Sequence, residues 1–309
     1  MTQNPVNETR GCRVDAIRST YDRPVDTRDR PVCDGPAHPA AALALSCHPG
    51  PVAAVTVLVT ALAAGSGPGF VRWVVIAAAV LTGQLSVGWC NDALDARRDA
   101  EAGRTDKPLA RGAVDPSTVW GAAFTSLALC VPLSLACGPL AGAVHLAGVL
   151  GAWLYNLGLK ATVLSWLPYA VGFASLPCLV TLSMPGSPWP AWWAVTAGAL
   201  LGVAAHLADV LPDIDADLEA GIRGLPQRWG AARTRLLLPV PLVAASAVLV
   251  LGPAGPAGGW VSVVLAGAVA AAAAGLARGG FGRKAALAAT VAVAAVDVAL
   301  LLARGTAAA

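Results

Sequence analysis

Charge is scarce in this sequence. Of its 309 residues only 13% are Asp, Glu, Lys or Arg, about half the ~25% of an ordinary soluble domain. A soluble globule of this size could not cover its surface with so few charges, and a mean hydropathy of +0.65 agrees. Paired cysteines are missing too. Cys12, Cys33, Cys47, Cys90, Cys130, Cys137 and Cys178 form no CxxC pair and no cluster with histidine, which excludes a zinc site of that kind and a disulfide scaffold. Most read as small buried hydrophobes. Residues 1–39 contain no apolar run, so no signal-peptide core is expected there. They hold six arginines and six acids with several prolines, the composition of a disordered mixed-charge tail.

What the chain has instead is long apolar stretches. A membrane-spanning helix needs about 20 such residues, and nine stretches fit, near 43–64, 70–91, 116–136, 140–158, 163–183, 190–211, 234–251, 259–277 and 284–303. Gly/Pro clusters at 65–69, 138–139, 185–190 and 252–259 separate several of them. The expected architecture is therefore an all-α polytopic membrane domain over 40–309, preceded by the tail at 1–39.

Nine spans place the tail and the loops after spans two, four, six and eight on one side. That side then carries 19 of the 21 Lys and Arg residues, leaving Arg72 and Arg304 opposite. Positive charge marks the cytoplasmic face. One span more or fewer would destroy this partition.

The acids are as unevenly placed. Beyond the tail, eleven of twelve lie within 92–115 and 209–219, at the cytoplasmic ends of spans two and six. If span two continues as helix, Asn91, Asp95 and Asp99 step by four residues, with Asp92 on the same stripe. Asp209, Asp213 and Asp217 repeat the step, and Pro212 should interrupt regular bonding near residue 208. Stacked carboxylates repel each other, so two such clusters suggest bound hard cations such as Mg²⁺, which prefer oxygen ligands. Arg and Lys beside them complete a plausible diphosphate site. Charged helix ends that merely set topology are the plain alternative for either cluster alone.

The first cluster resembles the NDxxDxxxD motif of UbiA-type intramembrane prenyltransferases at Asn91, Asp92, Asp95 and Asp99, and RTDKPLARG resembles that family's basic continuation. Asp213 and Asp217 are similar to its second, DxxxD, motif, with GIRGLPQRWG after it. Tyr155-Asn156-Leu157-Gly158-Leu159-Lys160 looks like its Tyr/Lys loop, with slightly different spacing. The motifs cover about 42–235; residues 236–303 match by helix number only.

The resemblance implies nine transmembrane helices bundled around a central cavity, with the two Asp-rich motifs facing each other at the cytoplasmic side. It implies two Mg²⁺ ions, an isoprenyl diphosphate whose allylic C–O bond ionises, and a small acceptor that attacks the cation. An aromatic ring is the expected acceptor, a quinone precursor or a natural product. The expected metal ligands are Asp92, Asp95, Asp99, Asp213 and Asp217, with Asn91 ligating or orienting; Asp209 and Asp215 are less central. Arg97, Arg98, Arg104 and Lys107 are candidates for phosphate contacts, at least one of them serving topology alone. Lys160 is a further phosphate candidate, and Tyr155 could bond a phosphate or face the cation. Asp95, Asp213, Lys160 and Tyr155 are the expected centre of the chemistry.

Other residues divide between site and packing. His206, a turn before Asp209, could face substrate or be a packed histidine; His145 reads as packed, and His48 could line the cavity. Asp297, alone in span nine, reads as a buried hydrogen-bonded acid. Trp89, Trp153, Trp166 and Phe173 could flank the isoprenoid or anchor at the interface. The expected partners are the isoprenyl diphosphate, a small hydrophobic or aromatic acceptor and the lipid bilayer, and no nucleic acid. Three alternatives stay open: a terpene cyclase of the same family that needs no acceptor, a transferase to a sugar phosphate or lipid headgroup, and a transporter or scaffold.

Overall fold

A computed structural model describes residues 38–67, 69–253, 266–267, 269–270 and 285–304. Residues 1–37 of the predicted tail and nearly all of the eighth predicted span lie outside the described residues. Every regular element among the described residues is helical, as apolar surroundings require, because a helix satisfies its own backbone N–H and C=O groups.

The first predicted span is a bent pair, α1 (Pro39–Leu45) and α2 (Pro49–Gly65), meeting at 63°. Pro49 disfavours helical geometry in the residue before it, and His48 is left-handed at φ 59°. Next comes α3 (Phe70–Glu101), ten residues longer than predicted. At ~1.5 Å per residue it spans about 48 Å, well beyond the ~30 Å of a hydrocarbon core. Its last turns, which carry the aspartates, therefore project past the apolar layer.

Two antiparallel helices follow, α4 (Pro116–Ala136) and α5 (Pro139–Leu157). Asp115 caps α4, accepting from Ser117 N at 2.8 Å. Helix α6 (Leu167–Leu182) has only 16 residues. Helix α7 (Trp192–Val210) runs into a 3₁₀ turn at Leu211–Asp213 and then α8 (Ile214–Glu219). Pro212 interrupts the regular bonding two residues later than expected. The seventh predicted span is a second bent pair, α9 (Leu225–Leu237) and α10 (Pro239–Leu251), at 49°. The last helix is α11 (Ala285–Arg304).

By length and composition four helices among the described residues can cross a membrane, or six if each bent pair counts as one. Helix α6 and the apolar part of α11, the fifth and ninth predicted spans, are shorter than that measure.

Helices α2, α3, α5, α6, α7 and α11 pack in turn, and α11 returns to α2 and closes the ring. Ile76, Leu179 and Leu182 form one buried cluster, into which Val298 and Leu302 of α11 pack. Phe70, Val71 and Leu251 are more than 70% exposed, an apolar exterior suited to lipid.

Small residues set the closest approach. A Cβ on Gly202 would lie 2.3 Å from Tyr169 O. Gly202→Val should therefore push α7 off α6, at a cost of about 1–3 kcal/mol for overpacking. The expected result is a lower melting temperature in detergent; an unchanged one would show that the contact has slack.

Candidate active site

The overrun of α3 turns one face of its last three turns inward. Asp92, Asp95 and Asp99 are 2%, 7% and 4% exposed, and carboxylates so deeply buried need partners. Lys107 supplies them for two: its Nζ lies 2.9 Å from Asp92 Oδ1 and 2.9 Å from Asp99 Oδ2. The loop that carries Lys107 back over α3 turns at Gly103 and Gly112, both at positive φ (65° and 73°), where a side chain would be strained. Burial alone would lower the Lys107 pKa, but Asp92 and Asp99 together raise it above the ordinary lysine value.

Asp95 is held from elsewhere. Lys160 Nζ donates to both its oxygens at 2.6 and 2.8 Å, and Arg98 Nη2 is 2.9 Å away. Lys160 sits on a 3₁₀ turn, Leu159–Ala161, after α5. Buried Asn156 one turn earlier accepts from Asn91 Nδ2 at 3.1 Å, so the two segments are stitched side by side. His48, at the bend before α2, places Nε2 3.4 Å from Asp92 Oδ1.

Arg104 joins the two motifs. Its guanidinium grips Asp106 at 2.9 and 3.0 Å, and Nη1 reaches Asp213 Oδ1 at 3.3 Å. The hydrogen bonds from Arg104 hold the Asp106 carboxyl down at a pKa of about 2. Asp217 accepts from Gln227 Nε2 at 2.9 Å. Gln227 lies just after Gly224, where a Cβ would meet Lys160 O at 2.5 Å; only glycine lets that turn close on the lysine segment.

All these groups open on one cavity of about 490 Å³. Seven aspartates line it (92, 95, 99, 106, 209, 213 and 217) against Arg98, Arg104, Lys107 and Lys160. The formal excess is three negative charges. Deeper walls are apolar, with Val52, Leu58, Val149, Leu176, Leu201 and Val291 from five helices.

Of the predicted site residues, Asn91, the five aspartates, Tyr155, Lys160, Arg98, Arg104 and Lys107 line the cavity. Arg97 is the correction. Two residues along a helix is about 200° of rotation, so Arg97 faces away from Asp95, is 91% exposed and pairs with Glu101 at 3.4 Å. Of Trp89, Trp153, Trp166 and Phe173, only Phe173 lines the cavity. Trp89 donates to Leu43 O at 2.9 Å and Trp153 to Ser86 Oγ at 3.3 Å. His145 lines the cavity and is bonded to Ser134 Oγ at 2.8 Å. Asp297 is buried and accepts from Ser246 Oγ at 2.8 Å, as read from the sequence.

Tyr169, Asn156, Gln227 and Asp106 were not singled out from the sequence. Tyr169 had a signal, being one of three tyrosines in the chain and set within an apolar run. Among the described residues no three Asp, Glu, His or Cys side chains converge tightly enough to enclose an ion; lysine and arginine nitrogens sit on the oxygens instead. The donor set, carboxylates with one amide, still fits a hard divalent cation, and the excess negative charge leaves such a cation something to balance.

A profile of the UbiA prenyltransferase family matches residues 52–292. The fold is similar to that of a UbiA homologue from Archaeoglobus fulgidus described as bound to GPP and Mg²⁺, with a TM-score of 0.64 and 15% identity over 85% of this chain and 99% of that one. A UbiA homologue from Aeropyrum pernix K1, in its apo form, gives 0.62 and 20% over 81% and 97%. A structure described as digeranylgeranylglyceryl phosphate synthase gives 0.59 and 13% over 85% and 96%. No curated protein matches the chain by sequence. With the family profile covering most of its length, on a membrane-embedded helical fold, the chain belongs to the UbiA prenyltransferase family and is an enzyme of that prenyl-transferring class.

Proposed function

We propose that this protein is a Mg²⁺-dependent membrane prenyltransferase that moves an isoprenyl group from an isoprenyl diphosphate to a small aromatic acceptor. The observation that carries the reading is the charge balance of the cavity. A diphosphate is itself an anion, and a pocket with seven aspartates and four cations repels it until further positive charge is added. The reported GPP and Mg²⁺ complex of the Archaeoglobus fulgidus homologue supports the same pairing.

Asn91, Asp92, Asp95 and Asp99 on one side, with Asp213 and Asp217 on the other, would hold two Mg²⁺ ions. Bound there, the ions neutralise the diphosphate and make it a good leaving group. Lys160, Arg98, Arg104 and Lys107 bind phosphate oxygens, and Asp95 and Asp213 orient Lys160 and Arg104 from either motif. The apolar walls hold the isoprenyl chain and keep water from the allylic cation. Tyr155 and Phe173 turn aromatic rings toward that cation.

In this reading the domain spans 40–309 as nine transmembrane helices, the tail at 1–39 takes no part in the chemistry, and the site opens to the cytoplasm. Single cysteines placed by Ala102→Cys and Ala220→Cys in a cysteine-free background test the last point, since both positions are exposed. Both should be labelled from the cytoplasmic side. Labelling from opposite sides would separate the two motifs and sink the shared site.

Membranes supplied with C10, C15 and C20 diphosphates, with and without aromatic acceptors and read by mass spectrometry, test the function itself. A prenylated ring is the expected product. A cyclic hydrocarbon formed without acceptor would make the protein a terpene cyclase, and no loss of diphosphate at all would remove it from this chemistry.

A further inference from the structure

Beneath the ion-paired layer the cavity carries a carboxylate of a different kind. Asp209 lies on the last turn of α7, four residues before Asp213 on the 3₁₀ turn that follows. Asp92, Asp95, Asp99 and Asp213 each meet a lysine or arginine. Asp209 meets neither among the described residues. Its hydrogen bond comes from Tyr169 Oη, 2.7 Å from Oδ2, which leaves Oδ1 available to the cavity.

Tyr169 belongs to a fixed aromatic group. Its ring centroid is 5.2 Å from that of Tyr155 and 5.0 Å from that of His206, and Tyr155 and His206 are 5.7 Å apart. His206 is fully buried and is anchored by Nε2 to Ser165 Oγ at 3.1 Å. It stands behind the tyrosines and does not itself line the cavity, whereas Tyr155, Tyr169, Phe173 and Asp209 do. The result is an aromatic wall with one carboxylate at its edge, next to where the ion-paired layer ends.

We infer that this is the acceptor site, built for an uncharged hydroxyaromatic ring, and that Asp209 takes the proton the ring gives up. The inference rests on the prenyl-transfer reading above. Every bond change is accounted for. The donor C1–O bond breaks and its electron pair leaves on the diphosphate. A ring carbon of the acceptor gives a π pair to C1, forming the new C–C bond. The C–H pair at that carbon then returns to the ring, and the proton passes to Asp209 Oδ1. Tyr169 holds the other oxygen and so fixes the carboxylate's direction, which makes it a positioning residue.

Charge selects the acceptor class. An acceptor bearing a carboxylate or phosphate would face the Asp209 carboxylate, and like charges repel. Arg98, Arg104, Lys107 and Lys160 sit on carboxylates of the layer above, where in the reading above they serve the diphosphate and not the acceptor. The imidazole deeper in the cavity, His145, is only 4% exposed and tied to Ser134. A neutral ring with a hydroxyl meets no such repulsion and can donate that hydroxyl to Asp209.

The test uses the full chain in membranes, with a C15 diphosphate and either 1,4-dihydroxynaphthalene or 4-hydroxybenzoate. Wild type should prenylate the neutral ring at least ~10-fold better than the benzoate. Asp209→Asn should lower the prenylated product by ~10²-fold, the usual scale for a lost general base. Its binding of the C15 thiolodiphosphate, which cannot ionise readily, should stay within about threefold. Tyr169→Phe removes the orienting bond without changing charge and should cost about tenfold in product, in kcat more than in KM. A preference for the benzoate, or full product from Asp209→Asn, would overturn the inference and leave the diphosphate chemistry standing. Lost thiolodiphosphate binding in Asp209→Asn would place Asp209 in the donor site and overturn it equally. Absence of pyrophosphate release from wild type would instead remove the prenyl-transfer reading beneath it.

Discussion

Asp95→Asn should lower pyrophosphate release by ~10²-fold or more, the scale of a lost electrostatic stabiliser. Asp95 is the meeting point of Lys160, at 2.6 and 2.8 Å, and Arg98, at 2.9 Å, and Asn91 Nδ2 lies 3.4 Å from it. The amide keeps the shape and removes the charge, so both cations lose the group that aims them. Contacts to a leaving diphosphate strengthen as charge develops on it, and the loss should therefore fall on turnover more than on KM. Asp213→Asn should have a similar effect from the other motif, since Asp213 receives Arg104 at 3.3 Å. Arg97→Ala, on the outer face of the same helix turn, should stay within about twofold, as surface charges do. Near-normal release from both Asp→Asn proteins at matched expression would show that the chemistry lies elsewhere in the chain.

Chelation should act more completely still. With seven aspartates and four cations around one cavity, removing divalent ions with EDTA leaves two sets of negative charge, pocket and diphosphate, facing each other. Turnover should fall to background and return with Mg²⁺ or Mn²⁺, which favour oxygen ligands, but not with soft ions that favour thiolates. The five described cysteines are buried and free, and none lines the cavity beside the aspartates except Cys47, near the bend before α2. Membranes that keep full turnover in EDTA would show that Lys107, Lys160, Arg98 and Arg104 suffice by themselves.

Features with a local cause were legible in the chain. Apolar runs of helical length, the interruption at Pro212 and the stripe of Asp92, Asp95 and Asp99 all follow from a period of 3.6 residues and the chemistry of proline, and neither needs a neighbour. The outward direction of Arg97 was equally local, since its 200° offset from Asp95 is fixed by the helix. The overrun of α3 by ten residues was less accessible, because charged residues end an apolar run whether or not the helix continues.

Only the tertiary structure decided which cation answers which carboxylate. Lys107 reaches Asp92 across 15 residues, Lys160 reaches Asp95 across 65, and Arg104 reaches Asp213 across 109. Those pairings depend on turns at Gly103, Gly112 and Gly224 and on which helices close the ring. The same holds for Tyr169 and Asp209, 40 residues apart, which meet because Gly202 lets α7 lie against α6. Sequence supplied the charges and the helices that carry them. Packing brought them to one cavity, because ion pairs and aromatic contacts act over a few ångströms of space and are blind to distance along the chain.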